Sequence, residues 1–200
     1  MAPMQLVIIS GPPNAGKTLA AEALCQRYDR MLHVDVAVLR DFLRMGRLRP
    51  WDRSPEGRRQ RALLIETACD TARRFLDAGY GAIIDDTVFP DDLPLYREAL
   101  AGCRHAVHFA VLLPPLDVLL ARERARPTEW RRAGRLEAAH AEFAAWEDVA
   151  RIDPGALAPV LVADRVMALA AEALCQRYDR MLHVDVAVLR DFLRMGRLRP

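Results

Sequence analysis

The feature that most constrains the fold is a glycine-containing loop between an apolar run and a segment of helix-forming residues. Residues 11–18 read GPPNAGKT and match the pattern G-x-x-x-x-G-K-[ST]. The preceding QLVIIS is typical of a buried parallel strand, and the segment from Lys17 to about Arg30 predicts a helix. In such a strand, loop and helix unit, backbone N–H groups at the positive end of the helix hold a phosphate group. The sequence therefore predicts an α/β fold with a phosphate site after its first strand.

The residue types in this loop suit a nucleotide with its metal ion. Lys17 is the only lysine among 29 basic residues, and a slim ammonium reaches the β and γ phosphates through a gap that a guanidinium does not fit. The Thr18 hydroxyl is placed to bind Mg²⁺. The alternatives are a chance match and a loop that binds nucleotide for regulation without catalysis. We predict ATP and Mg²⁺ as cofactors, with a binding loop formed by Gly11, Asn14, Ala15, Gly16, Lys17 and Thr18.

Short apolar runs alternate with helical patterns along the rest of the chain. Strands are predicted at MLHVD, GAIID, HAVHFAVLL and VARID, and helices at about 36–46, 59–78, 90–102, 115–126 and in a segment ending near Trp146. This alternation predicts a parallel sheet with helices on both faces. Because no linker interrupts it, we predict one domain over residues 1–168.

Carboxylates follow two of the predicted strands. Asp35 ends MLHVD, and Asp85 and Asp86 end GAIIDD. Ligands of open α/β sheets bind at the carboxyl ends of the strands, so these side chains are expected beside the phosphate site. We assign Asp35 as the base that accepts the proton of an acceptor hydroxyl, and Asp85 or Asp86 to the metal and acceptor side. Because Asp35 directly precedes a helix, an N-cap is its alternative role.

Arginines supply the positive charge outside the loop. Arg122 and Arg126 lie four residues apart near the end of a predicted helix, so they share a face before a loop that can close over the nucleotide. We predict that Arg126 stabilises charge on the transferred phosphoryl group and that Arg122 contacts the nucleotide; solvated helix arginines are the alternative. A second arginine group surrounds Trp51 in residues 44–61. It either binds a phosphorylated or nucleic-acid acceptor or forms a solvated connection with Trp51 over the acceptor pocket, and we prefer the connection.

Residues 169–200 repeat residues 19–50 letter for letter. A single identical copy is not the signature of a stacked repeat array, which needs several imperfect copies. No glycine-rich loop precedes the second copy, so we interpret it as an artefact of sequence assembly or editing, or as a non-functional extension. A recent tandem duplication is the next alternative. The first part of this copy is expected to form a C-terminal helix.

Composition narrows the class of protein. The formal net charge is +2 and falls to zero without the second copy, so bulk charge gives no argument for a nucleic-acid partner. The four cysteines form no CxxC pair, and no apolar run approaches the roughly 18 residues that span a bilayer. Because no signal-peptide pattern opens the sequence, we expect a cytoplasmic protein with no membrane partner.

The motifs, in their order, resemble those of a group of small P-loop kinases. GPPNAGKT, HVDVAVLRDFL, GAIIDDTVFPDDLPLYREAL and LDVLLARERAR are similar to segments of chloramphenicol phosphotransferase, the kinase domain of polynucleotide kinase and zeta toxins, which carry an AAA-type ATP-binding domain. The resemblance implies a three-layer P-loop NTPase fold, a five-stranded parallel sheet in the order 2-3-1-4-5, and a short arginine-bearing lid. It also implies Asp35 as catalytic base, Arg40 near the acceptor and Asp86 in the acceptor site, which leaves Asp85 and Thr18 for the metal.

The expected function is transfer of the γ-phosphoryl group of ATP to a hydroxyl of a small molecule, such as an antibiotic, nucleoside or sugar derivative. Arg40 lies five residues after Asp35 rather than the three associated with polynucleotide kinases, which weighs against a polynucleotide acceptor. The alternatives are a polynucleotide or nucleotide-sugar kinase, and an ATP-binding switch that hydrolyses slowly.

Overall fold

The computed structural model describes residues 5–127, 134–147 and 149–179, in which strands and helices alternate along the chain. In order they are β1 (Gln5–Ser10), α1 (Lys17–Cys25), β2 (Met31–Asp35), α2 (Val36–Asp41), α3 (Pro55–Asp77), β3 (Gly81–Asp85), a 3₁₀ turn (Pro90–Asp92), α4 (Leu93–Ala99), β4 (Ala106–Leu112), α5 (Leu116–Arg124), α6 (Arg135–Ala144), β5 (Arg151–Ile152) and α7 (Pro159–Asp179).

The strands form one sheet in the order β2-β3-β1-β4-β5, and every described pair is parallel. This confirms the predicted strand order. In the register, Asp35 at the end of β2 lies beside Asp85 at the end of β3, and Ile9 of β1 lies on the other side of Asp85. The carboxyl ends of β1, β2 and β3 therefore meet at one edge of the sheet.

Hydrophobic residues of β1 alternate between the two faces of the sheet, as the pleat requires. Val7 and Ile9 pack in one cluster with α1, α5 and α7, whereas Leu6 and Ile8 pack in another with α2, α3 and α4. Helices thus cover both faces, which confirms the three-layer architecture. Within the described residues, every helix is too short or too polar to span a bilayer.

Several helix ends differ from the prediction. α1 ends at Cys25 rather than near Arg30, and α2 ends at Asp41, where the next two amides bond three residues back instead of four. α3 begins at Pro55, four residues before the predicted start, because Ser54 caps it by accepting a hydrogen bond from the Gly57 amide. The segment 44–61 is therefore partly helical.

The described part of the repeated sequence is helical. α7 contains the first eleven residues of the second copy; Ala170 within it is buried, and Leu169 packs against the cluster that contains Ala20 of α1. Residues 180–200, with the second copies of the predicted strand and helix, lie outside the described residues.

Candidate active site

The loop after β1 has the backbone geometry that its glycines permit. Gly11 has a φ of 144°, and a Cβ there would lie 2.2 Å from the Leu112 carbonyl oxygen of β4, so no other residue fits. Gly16 has a φ of 91° and precedes α1 without a side-chain cap. The N–H groups in the first turn of α1 are thereby left to a ligand or water. This is the arrangement of a phosphate-binding loop.

Two adjacent residues of α5, Arg122 and Glu123, fix the loop through hydrogen bonds to Asn14. Asn14 has a φ of 66°, and its side-chain amide donates to Glu123 Oε2 at 2.5 Å. Arg122 Nη1 donates to the Asn14 carbonyl oxygen at 3.0 Å, and its Nη2 lies 3.5 Å from the Pro154 carbonyl oxygen. Glu123 is buried. The backbone and the side chain of Asn14 are thus both fixed by α5.

Lys17 turns its ammonium group back over the loop. Nζ donates to the carbonyl oxygens of Gly11 and Pro12, each at 3.1 Å. The side chain therefore lies across the concave side of the loop, where it also lines the cavity described below. A cation in this position faces the space that a phosphate chain occupies in loops of this type.

Thr18 and Asp85 form a pair of oxygen ligands at the edge of the sheet. Thr18 Oγ1 donates to Asp85 Oδ2 at 2.5 Å, and His33 Nε2 lies 3.8 Å from the same carboxylate oxygen. Hydroxyl and carboxylate oxygens are ligands that Mg²⁺ prefers, and this ion is commonly held by one or two protein groups together with phosphates and water. No group of three or more His, Cys, Asp or Glu suited to a metal occurs among the residues that the structure describes. The pair therefore fits a magnesium site that is completed by a nucleotide.

Asp35 is at once a helix cap and a wall residue of the cavity. Its Oδ1 accepts hydrogen bonds from the amides of Ala37 at 2.8 Å and Val38 at 3.2 Å, which begins α2. Within the described residues, Oδ2 has no hydrogen-bond donor. Asp35 lines the same cavity as Lys17 and Thr18. Asp35 is therefore the N-cap of α2, as the alternative prediction had it, and the cap leaves Oδ2 available for a ligand.

Asp86 lies in a buried network beneath the cavity. Its two oxygens accept from Arg61 Nη1 at 3.1 Å and from the Tyr96 hydroxyl at 2.7 Å, and Arg61 Nη2 lies 2.6 Å from Oδ2. Arg61 also bonds Asp92 Oδ2 at 2.9 Å and the Thr87 carbonyl oxygen at 3.2 Å. Both oxygens of Asp86 are engaged by the protein itself.

Electrostatics within this network favour a permanent ion pair. Burial alone would lower the pKa of Arg61, but the carboxylates of Asp86 and Asp92 outweigh it and raise this pKa above its ordinary value. Burial, followed by the charge of Asp86, raises the pKa of Tyr96 well above its usual range, so its hydroxyl remains a donor. The expectation that the 44–61 segment is a solvated connection is wrong for Arg61, whose side chain is only 10% exposed.

A cavity of about 970 Å³ opens between the loop, α2, α3 and α6. It brings together eight of the predicted site residues, whereas Gly11, Ala15, Gly16 and Arg122 are not on its wall. Because α5 ends at Arg124, Arg126 follows the helix instead of sharing a face with Arg122. The predicted lid falls mainly on residues 128–133, outside the described residues. The predicted residues on the wall are Asn14, Lys17, Thr18, Asp35, Arg40, Asp85, Asp86 and Arg126.

Sequence reasoning missed several residues that build this site. Arg61 had a readable signal, because it extends the buried stripe of α3 at Ile65, Ala68 and Ala72 by one turn. Arg135 and Glu142 reach the cavity from α6, and only the tertiary packing brings them there. Trp51 lines the cavity as expected, with the guanidiniums of Arg49 and Arg135 5.7 Å and 5.3 Å from its ring centroid.

The fold and the loop together define a P-loop NTPase of the type seen in small kinases. Residues 6–151 match the family described as AAA domain, and the chain belongs to this family. A search among curated proteins finds no significant match.

Solved structures with the same fold include several kinases. A tunicamycin resistance protein from Deinococcus radiodurans is 22% identical, with a TM-score of 0.62 over 82% of this chain and 94% of that one. A sugar kinase from Janibacter sp. HTCC2649 is 19% identical, with a TM-score of 0.61 over 84% and 94%. The APS kinase of Mycobacterium tuberculosis, in complex with AMPPNP and APS, is 16% identical, with a TM-score of 0.63 over 84% and 97%.

Proposed function

We propose that this protein is an ATP-dependent kinase that transfers the γ-phosphoryl group of ATP to a hydroxyl of a small-molecule acceptor. The observation that carries the proposal is the convergence of Lys17, the pair of Thr18 and Asp85, and Asp35 on one cavity. Lys17 would supply the cation that binds phosphate, and Thr18 with Asp85 would supply the oxygen ligands of a metal ion. Asp35 would supply a carboxylate whose Oδ2 has no hydrogen-bond donor among the described residues. Phosphoryl transfer requires these groups and little else beyond positioning.

Mg²⁺ would be held by Thr18 and Asp85, and when bound it would neutralise charge on the β and γ phosphates. Lys17 approaches the same phosphates from the concave side of the loop. Arg126, which also lines the cavity, would stabilise negative charge on the transferred group. In this scheme, Asp35 Oδ2 accepts the proton of the acceptor hydroxyl while Oδ1 keeps its bonds to α2.

The cavity favours a small acceptor over a polymer. Its volume of about 970 Å³ lies at the upper end of the range for small-molecule sites, which is room for the phosphate end of a nucleotide together with a compact second substrate. A polynucleotide or nucleotide-sugar acceptor is the first alternative. A nucleotide switch with slow hydrolysis is the second, and the capping bonds of Asp35 favour it because they give that carboxylate a structural use that needs no catalysis.

Asp35→Asn separates the two roles of this residue. Asparagine is as good an N-cap as aspartate, so α2 is retained, but the amide does not accept a proton. We expect a loss of acceptor-dependent ADP release of about a hundredfold or more, in the range of general-base effects, with unchanged ATP affinity. The measurement is transfer of label from γ-labelled ATP to a panel of hydroxyl compounds, with fluorescence titration of a nucleotide analogue as the binding control.

The kinase hypothesis and the nucleotide-switch hypothesis predict opposite results in this experiment. Phosphorylated product formed by wild type and lost in Asp35→Asn supports the kinase. A slow background hydrolysis that no acceptor stimulates, and that Asp35→Asn leaves intact, would support the switch. A 5′-hydroxyl oligonucleotide in the panel identifies a polynucleotide acceptor directly.

A further inference from the structure

The charges on the cavity wall are not evenly compensated. Four carboxylates there already have a partner within the protein: Asp41 pairs with Arg47, Asp86 with Arg61, Asp85 with Thr18, and Glu142 with Arg53 at 3.7 Å. Lys17, Arg40 and Arg126 also line the cavity; the proposed function assigns Lys17 and Arg126 to the phosphates of the nucleotide, and Arg40 is predicted to lie near the acceptor. After these assignments, Arg49 and Arg135 are two further cations on the wall, and no carboxylate lies within ion-pair distance of either among residues 5–127, 134–147 and 149–179.

Arg49 and Arg135 converge on one aromatic ring. They are 86 positions apart in the sequence, yet their guanidinium carbons lie 5.7 Å and 5.3 Å from the centroid of Trp51. Both are exposed residues, and solvated arginines of this kind normally extend away from each other. Here the indole holds two like charges together at the mouth of the cavity. A cation–π contact is worth about 0.5–1 kcal/mol at exposed sites, which is enough to orient the two side chains.

The elements that carry these arginines are also tied to each other. Arg53 lies 3.7 Å from Glu142 of α6 and 3.7 Å from Asp91, and its guanidinium stacks over Phe89 at 5.5 Å. The segment that precedes α3 is therefore joined to both ends of α6, at Arg135 through Trp51 and at Glu142 through Arg53. Because the two segments that carry Arg49 and Arg135 are held together, the two cations are pre-organised to bind an anion.

From this geometry we infer that Arg49 and Arg135 bind a phosphate group carried by the acceptor, with Trp51 as the wall against its carbon skeleton. Two guanidiniums match the charge of a phosphate monoester and donate to its oxygens in pairs. The acceptor would thus be a small phosphorylated alcohol or sugar whose free hydroxyl points toward Asp35. This inference rests on the proposed kinase function, which it narrows by naming the substrate class.

Phosphate binding tests the anion site without any turnover. The protein is saturated with Mg²⁺ and AMPPNP, so that the loop is occupied, and inorganic phosphate is titrated at constant ionic strength by ³¹P NMR. We expect saturable binding to wild type and a rise in Kd of about tenfold for Arg49→Gln and for Arg135→Gln, equivalent to one charged hydrogen bond each. Arg59→Gln, at an exposed position of α3 off the cavity wall, is the matched control and should bind as wild type does.

Paired acceptors test the same inference during turnover. Glycerol is compared with glycerol 3-phosphate, and glucose with glucose 6-phosphate, in the wild type and in the double variant of Arg49→Gln with Arg135→Gln. We expect higher kcat/KM for the phosphorylated member of a pair, lost in the double variant through KM, with KM for ATP unchanged. Phosphate binding with the same affinity in wild type and all three single variants, or equal use of neutral and phosphorylated acceptors, overturns the inference without contradicting the proposed kinase function. Variant-sensitive phosphate binding without transfer to any acceptor has the opposite meaning, because the anion site is then real and the proposed function fails.

Discussion

Two neighbouring carboxylates at the end of β3 have different surroundings because a strand turns successive side chains to opposite faces. Asp85 faces the loop and the Thr18 hydroxyl. Asp86 faces α3 and α4, where Arg61 and Tyr96 occupy both of its oxygens. Asp85 is thus available to the proposed metal site, whereas Asp86 is held by the buried network of Arg61 and Tyr96.

Arg61 is the residue whose loss should destabilise the protein most. Arg61→Ala leaves Asp86 and Asp92 buried without their shared cation, and breaking a buried ion pair in this way costs about 3–5 kcal/mol. Arg61→Lys should also lose stability, because a single ammonium does not reach both carboxylates and the Thr87 carbonyl oxygen. Urea unfolding followed by circular dichroism measures the effect.

Arg58→Ala is the control for this measurement, because Arg58 is an exposed residue of the same helix. It should change the free energy of unfolding by less than about 0.5 kcal/mol. If Arg61→Ala were as mild as Arg58→Ala, the buried network would not be a stabilising feature of the fold.

At the scale of elements, the strands could be predicted from sequence and the helix ends could not. The apolar runs at MLHVD and GAIID fall on β2 and β3 residue for residue. The reason is clearest for β3, which is buried throughout, because a buried parallel strand is almost continuously apolar. The start of α3 was missed although Ser54 and Pro55 form a capping signal. The roles of Arg61, Arg135 and Glu142 depend on contacts between distant elements, which local patterns do not encode.

β4 carries a histidine that makes stability depend on pH. Burial lowers the pKa of His108, and its Nε2 has no hydrogen-bond partner among the described residues. Below about pH 6.5 the unfolded chain therefore binds a proton at this histidine more readily than the folded chain does. The contribution of neutral His108 to stability is complete above the unfolded pKa of about 6.5 and is lost as the pH falls through the lowered folded pKa. One proton contributes a slope of at most about 1.4 kcal/mol per pH unit.

The comparison of wild type with His108→Leu isolates this contribution. Urea unfolding from pH 7.5 to pH 5 should show a steeper loss of stability in wild type than in the variant. His105→Leu is the comparison variant: it also removes a histidine, but one that lies just before β4 and contacts Asp77 at the surface. Parallel pH profiles for wild type and His108→Leu would contradict the prediction.

At the scale of the whole molecule, one sequence is used in two places. LAAEALC occurs in α1 and again in α7, and both helices lie in the same hydrophobic cluster on one face of the sheet. Arg27, just after α1, bonds Asp164 Oδ1 of α7 at 2.5 Å and the Val160 carbonyl oxygen at 2.9 Å. Only the first copy follows a phosphate-binding loop, whereas the described part of the second copy continues a helix that packs in the same cluster as α1.

Substitutions at Ala170, which belongs to the second copy, and at Ala168, which precedes it, test whether the repeated residues in α7 belong to the folded domain. They are two positions apart in one helix, and Ala170 is 1% exposed whereas Ala168 is exposed. Ala170→Asp buries an unpaired carboxylate and should cost at least about 3 kcal/mol in the free energy of unfolding. Ala168→Asp should cost less than about 1 kcal/mol, the difference in helix propensity. Thermal unfolding of both variants measures the two effects, and the milder Ala170→Ser serves as a third variant if Ala170→Asp does not fold. Equal and small effects at both positions would mean that the repeated part of α7 is not packed in the folded domain.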